Sequence, residues 1–142
     1  MKSERVPLLE VRASLAQQRL WFLAQREGGN LAYRVSASAR LLGALDRAAL
    51  QRALDHIVLR HESLRTCFYM KDGELAQAVF PARLGLSVQV HDLSTQPEAR
   101  EGLRAIIEAD GLIGFDLERG PLIRALLIRM SAQEHVLALA MH

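Results

Sequence analysis

The sequence has little of what several protein classes require. Cys67 is the one cysteine among 142 residues, so no internal disulfide can form and no cysteine-built metal cage is available. Aromatic residues make up only 5% of the chain, and its longest uninterrupted apolar run, Val136 to Met141, has six residues. A helix crossing a bilayer takes roughly 20, so no membrane span is expected. An excess of one charge sign is also lacking: 18 Lys and Arg against 16 Asp and Glu leave a formal charge of +2. No nucleic-acid partner is expected from that balance. Met1-Lys2-Ser3-Glu4-Arg5 has neither the apolar stretch nor the small-residue cleavage site of a secretory signal, which makes the cytoplasm the expected location.

Most catalytic signatures are absent as well. His61-Glu62 opens like a zinc-protease helix, but the pattern needs a second histidine four residues after the first, and Arg65 stands there. The remaining histidines, His56, His91, His135 and His142, are too far apart in sequence to form a local ligand cluster. No metal site is expected. A nucleophile elbow, a phosphate-cradling glycine loop ending in Lys-Ser/Thr, and a dinucleotide fingerprint are all missing.

What is present is a balanced globular composition, 50% hydrophobic and 24% charged, with no repeats and no proline-rich or glycine-rich linker. That excludes disorder and suggests one unit with its own core. Ser14 can cap a helix running to Gln25, with Leu15, Leu20, Trp21 and Leu23 on its apolar face and Gly28-Gly29-Asn30 ending it. From Tyr33 to Leu41 apolar and polar residues alternate, the period of a strand with one wet face. Asp46 caps a second helix to about Arg60, its stripe formed by Leu50, Leu54, Ile57 and Val58. Leu64 to Met70 and Glu74 to Phe80 form a hairpin through Asp72-Gly73. Ser87 to His91 makes a short strand, and Pro97 opens a third helix reaching about Asp110. Leu122 to Met130 and His135 to Met141 close the chain as strands. The last is apolar on both faces and is therefore expected mid-sheet, covered on both sides. The sum is an α+β layer of about six strands and three helices with a mixed sheet.

Three segments are richer than packing requires. Taken singly, Ser14 to Leu23 reads as an amphipathic helix, Arg60 to Phe68 as a helix C-terminus favouring cations followed by a strand, and Ala140-Met141-His142 as a strand end. Taken together, their order and separation resemble the condensation domains of nonribosomal peptide synthetases. Ser14, Ala16, Gln17, Arg19, Leu20, Trp21 and Leu23 match every specified position of that family's first motif. Arg60, His61, Glu62, Leu64, Arg65, Thr66 and Phe68 match its second. Phe115 to Leu122 is similar to its connecting sequence. Met141-His142 resembles the start of its His-His-x-x-x-Asp-Gly motif, of which His142 would be the first histidine. The second histidine, usually assigned to catalysis, is not among these residues.

The resemblance implies a lobe like that of chloramphenicol acetyltransferase, a mixed sheet covered by helices, cut within or just after a central strand. On this reading residues 1–142 are the N-terminal part of a domain whose C-terminal lobe is absent, and the piece is expected to be inactive alone. The whole domain would join a donor acyl thioester to an acceptor amine, both carried on the phosphopantetheine arms of peptidyl carrier proteins, with no cofactor bound directly. His142 would line the channel in support of the catalytic histidine. Arg60 and Arg65 would hold the lobe together through carboxylates or backbone carbonyls, and Arg19 and Trp21 would serve as core and scaffold. An epimerization domain of the same superfamily and a non-catalytic carrier-docking module are the alternatives.

Overall fold

The computed structural model describes residues 6–26, 29–82 and 85–142, and of Gly29 and Asn30 the backbone alone. The elements run β1 (Leu9–Arg12), α1 (Leu15–Ala24), α2 (Gly29–Ala32), β2 (Val35–Leu42) and α3 (Arg47–Arg60). A 3-10 turn (Glu62–Arg65) follows, then β3 (Thr66–Lys71), β4 (Glu74–Val79), β5 (Val88–Asp92), α4 (Ala99–Gly111), β6 (Ile123–Ser131) and β7 (Glu134–Met141). The expected α+β character and mixed sheet are found, but the described residues form seven strands and four α-helices where about six and three are expected, β1 and the short α2 being the additions. The strands form two sheets rather than one: an antiparallel set β1-β4-β3 and a mixed set β2-β7-β6-β5, in which only β5 and β6 run parallel. β1 escapes sequence reading because four residues are too few to establish a period. The segment forms by pairing with β4, Leu9 opposite Val79 and Arg12 opposite Ala76.

Local chemistry explains most boundaries. Ser14 accepts from the Gln17 amide while the Gln17 side chain accepts from the Ser14 amide, a reciprocal capping box. Asp46 caps α3 by accepting from the Ala49 amide at 2.9 Å. Asp72 and Gly73 both take positive φ, 51° and 83°, as a two-residue turn matching the strand twist requires, and Lys71 pairs with Glu74 across it. Of the expected stop Gly28-Gly29-Asn30, Gly28 lies outside the described residues. The second strand of that hairpin begins where expected, but the first begins at Thr66 and not Leu64, because the 3-10 turn takes up Glu62 to Arg65.

β7 lies in the interior of the mixed sheet, as its two apolar faces suggest. On one face α3 buries Leu54 and Val58 against Leu86, Ile123 and Ala125, with Leu139 and Met141 alongside. On the other α4 places Leu103 and Ile106 against Leu93, Leu126, Ile128 and Val136. A third cluster, Phe115, Leu117, Leu122 and Ala140, receives Trp21 and Ala24 from α1 and Phe68 from β3, and so joins the two sheets. Two expected stripes are only partly buried. Leu15 is 83% exposed and Ile57 is 45% exposed, because each turns away from the sheet its helix covers. β2 also departs from expectation: Val35, Ala37 and Ala39 are exposed along with their polar neighbours. It is an edge strand, and α3 covers the part of the sheet further in.

Candidate functional site

The three motif segments converge on the third cluster. From the first, α1 is anchored at its start by the capping box and by Gln17 Nε2 donating to Gln77 Oε1 on β4 at 2.8 Å. One turn on, Trp21 packs against Phe115, Leu117, Leu122 and Ala140. From the second, Phe68 reaches the same cluster, and its amide donates to the Leu117 carbonyl at 2.7 Å. From the third, the amide of His142 donates to the Leu122 carbonyl at 3.1 Å. Its imidazole stands edge-on to Phe115, with ring centroids 6.3 Å apart and an interplanar angle of 67°.

The polar residues of the second motif have another task. The Arg65 guanidinium donates to the Phe80 carbonyl at 2.8 Å and the Leu59 carbonyl at 3.4 Å, and lies 3.6 Å from the Glu62 carboxylate. It ties the end of α3 to the end of β4. The amide of His61 closes α3 on the Ile57 carbonyl, while its side chain and that of Glu62 are exposed. Two expectations need correction. Arg60 is exposed in the last turn of α3, where its charge suits the helix dipole, and makes no ion pair among the described residues. Arg19 is likewise exposed and without an ion pair among the described residues, because it faces away from Trp21 on α1.

His142 is half-buried, and that burial pushes its pKa below the ordinary 6.5. Neutral imidazole is therefore the dominant form at pH 7. Its Nε2 is buried with no hydrogen-bond partner among the described residues, as is Trp21 Nε1. Sequence reasoning missed what lies behind Phe115. Arg124 lies over that ring, its guanidinium carbon 4.3 Å from the centroid, and pairs with Asp110 at 3.0 Å. Asp110 is shared with Arg34 at 3.3 Å. Arginines this far apart along the chain leave no local signal. Among the described residues no group of three or more His, Cys, Asp or Glu side chains could hold a metal ion. No helix among them is long and apolar enough to cross a membrane. A groove of about 370 Å³ between Arg47 and Gln51 on α3 and Val88 and Leu127 on the sheet includes none of the motif residues.

This fold is that of solved condensation domains. The chain superposes on the starter condensation domain of rhizomide synthetase with a TM-score of 0.85 at 22% identity, covering 94% of this chain and 34% of that one. It superposes on the first condensation domain of the calcium-dependent antibiotic synthetase, solved with a substrate analogue, with a TM-score of 0.81 at 24% identity, covering 94% and 32%. The family model for the condensation domain matches residues 9–142, and the chain belongs to that family. Among its relatives are malpibaldin synthetase of Mortierella alpina, 44% identical over 129 residues, and chondramide synthase of Chondromyces crocatus, 44% identical over 131. Each alignment covers 91% of this chain, but only 2% of the first relative and 3% of the second. The chain thus spans about a third of the solved condensation-domain chains and a small part of the synthetases.

Proposed function

We propose that residues 9–142 are the N-terminal part of a condensation domain that forms an amide between two carrier-bound substrates. The acceptor amine attacks the donor thioester carbonyl, the C–N bond forms, the C–S bond breaks, and the amine proton ends on the departing phosphopantetheine thiol. The observation that carries this reading is the convergence of Trp21, Phe68 and His142 on one cluster, in a chain matched by the condensation-domain family over residues 9–142.

His142 suits a place beside the reacting amine. A half-buried neutral imidazole can accept or orient a proton near neutrality. In this reading it supports a second histidine supplied by sequence outside these 142 residues, together with the opposite wall of the channel. The motif residues Ser14, Gln17, Trp21 and Arg65 build the lobe, and His61 and Glu62 shape the turn between α3 and β3. Carrier proteins are the partners, and their phosphopantetheine arms bring the substrates. Holding two tethered reactants in register can supply effective molarities of about 10⁵ M or more, and general-base help about 10²-fold to 10⁴-fold. The 142 residues alone offer neither in full.

The test is an exchange. Residues 9–142 replace the aligned stretch of a condensation domain of chondramide synthase, and the chimaera and the isolated chain are each given loaded donor and acceptor carrier proteins. Condensed thioester product is expected from the chimaera and not from the chain alone. Product from the isolated chain would overturn its assignment as an incomplete domain, and an exchange that folds but forms no amide would overturn the condensation reading.

A further inference from the structure

The support behind His142 is more elaborate than its packing needs. Arg124, on β6, donates from Nε to Asp110 Oδ1 at 3.0 Å and from one terminal nitrogen to the Gly114 carbonyl at 2.9 Å. Its other terminal nitrogen donates to the carbonyls of Ile113 at 2.8 Å and Asp110 at 3.3 Å. Arg34, on the segment leading into β2, pins Asp110 from the other side, donating to its carbonyl at 2.6 Å and pairing with its carboxylate at 3.3 Å. The side chains of Arg34, Asp110 and Arg124 are 9%, 14% and 19% exposed. Four acceptors hold the Arg124 guanidinium in place, and its central carbon lies over the Phe115 ring, 4.3 Å from the centroid. Phe115 is 3% exposed.

Capping the carbonyls at the end of α4 would account for an arginine or a lysine here. It does not account for a guanidinium centred over an aromatic ring, whose edge-to-face partner is the His142 imidazole. The backbone of His142 is held by Leu122, but Nε2 has no partner among the described residues. The edge-to-face contact with Phe115 is thus a restraint on the ring that no hydrogen bond at Nε2 supplies.

We propose that Arg124 and Phe115 are positioning residues: the guanidinium locked by Asp110 sets the Phe115 ring, and that ring sets the orientation of the His142 imidazole. For catalysis the inference rests on His142 lining the channel, as proposed above; for the geometry it stands alone.

The experiment compares the full 142-residue chain with Arg124→Lys and Phe115→Leu. Lysine keeps the charge and can still cap the carbonyls but has no planar face. Leucine fills the site without a ring. The readouts are the imidazole carbon-bound proton shifts of His142, assigned by NMR, with the urea midpoint as a check of folding. The wild-type resonances are expected to carry the ring-current displacement of Phe115, and both variants to move them to the positions of an unrestrained imidazole. Unchanged His142 shifts in a folded Arg124→Lys chain would overturn the proposal, leaving Arg124 a helix cap only. The same two substitutions in the exchange chimaera are expected to lower kcat by about 10-fold to 100-fold with both KM values unchanged, the scale of a displaced catalytic geometry. Raised KM with kcat unchanged would overturn the positioning role. A wild-type chimaera without activity would count against the condensation reading, and the imidazole shifts would still decide the geometry.

Discussion

His142 follows the last strand, yet its imidazole is half-buried beside Phe115. Burial disfavours its charged form, so the folded chain holds the proton less tightly than the unfolded chain, whose histidine titrates near 6.5. By linkage, its contribution to stability is fully present above pH 6.5 and is lost as pH falls from there toward the lower folded value. Urea midpoints measured from pH 8 to pH 5.5 should therefore fall further on acidification in the wild type than in His142→Gln; parallel curves would contradict the burial. A second residue-scale test lies far from the site. Glu10 on β1 accepts from Tyr69 and Lys71 on β3, and the carboxylate raises the Tyr69 pKa to about 12 while its own is lowered by the same bonds. Ultraviolet titration should return the Tyr69 midpoint toward 10 in Glu10→Gln. Glu10 and Tyr69 lie 59 residues apart, so this bond could not be read from the sequence.

At the scale of elements, signals contained within a few residues were legible and those completed across the fold were not. The Ser14 and Asp46 caps, the Asp72-Gly73 turn and the interior position of β7 follow from local patterns. Ser14→Ala and Asp46→Ala should each cost about 1 kcal/mol in chemical denaturation, the usual loss when a capping oxygen is removed; two unchanged midpoints would mean that packing alone sets these helix starts. β1 and the 3-10 turn Glu62–Arg65 were hidden for a physical reason. The first is stabilised by its ladder to β4, and the second by Arg65 reaching Leu59 and Phe80 and by the Thr66 hydroxyl donating to the Glu62 carbonyl. The apolar alternation in β2 marks a strand, but periodicity does not say whether a covering element reaches that far.

The whole molecule presents that uncovered face. Val35, Ala37 and Ala39 lie opposite Met141, Leu139 and Leu137, so the apolar side of β7 continues outward onto an exposed edge strand. Unpaired edges with an apolar face are templates for further pairing. Sedimentation velocity should show the isolated chain associating as concentration rises, and Ala37→Lys, which puts a charge on that face, should shift it toward monomer. A wild-type chain that stays monomeric throughout the range would show the exposed face to be inert.

The sequence by itself determined the α+β class, the starts of α1 and α3, the hairpin turn and the family, because capping, turn chemistry and contiguous motifs act within a few residues of each other. Only the tertiary structure decided that the strands divide into two sheets, that Arg19 and Arg60 face outward, and that Trp21, Phe68 and His142 share one cluster. It alone brought Arg34, Asp110 and Arg124 behind Phe115, since a guanidinium bound to a carboxylate or carbonyl 14 or 76 residues away leaves no periodic trace in the chain. Those contacts exist only once β6, α4 and the entry to β2 have packed.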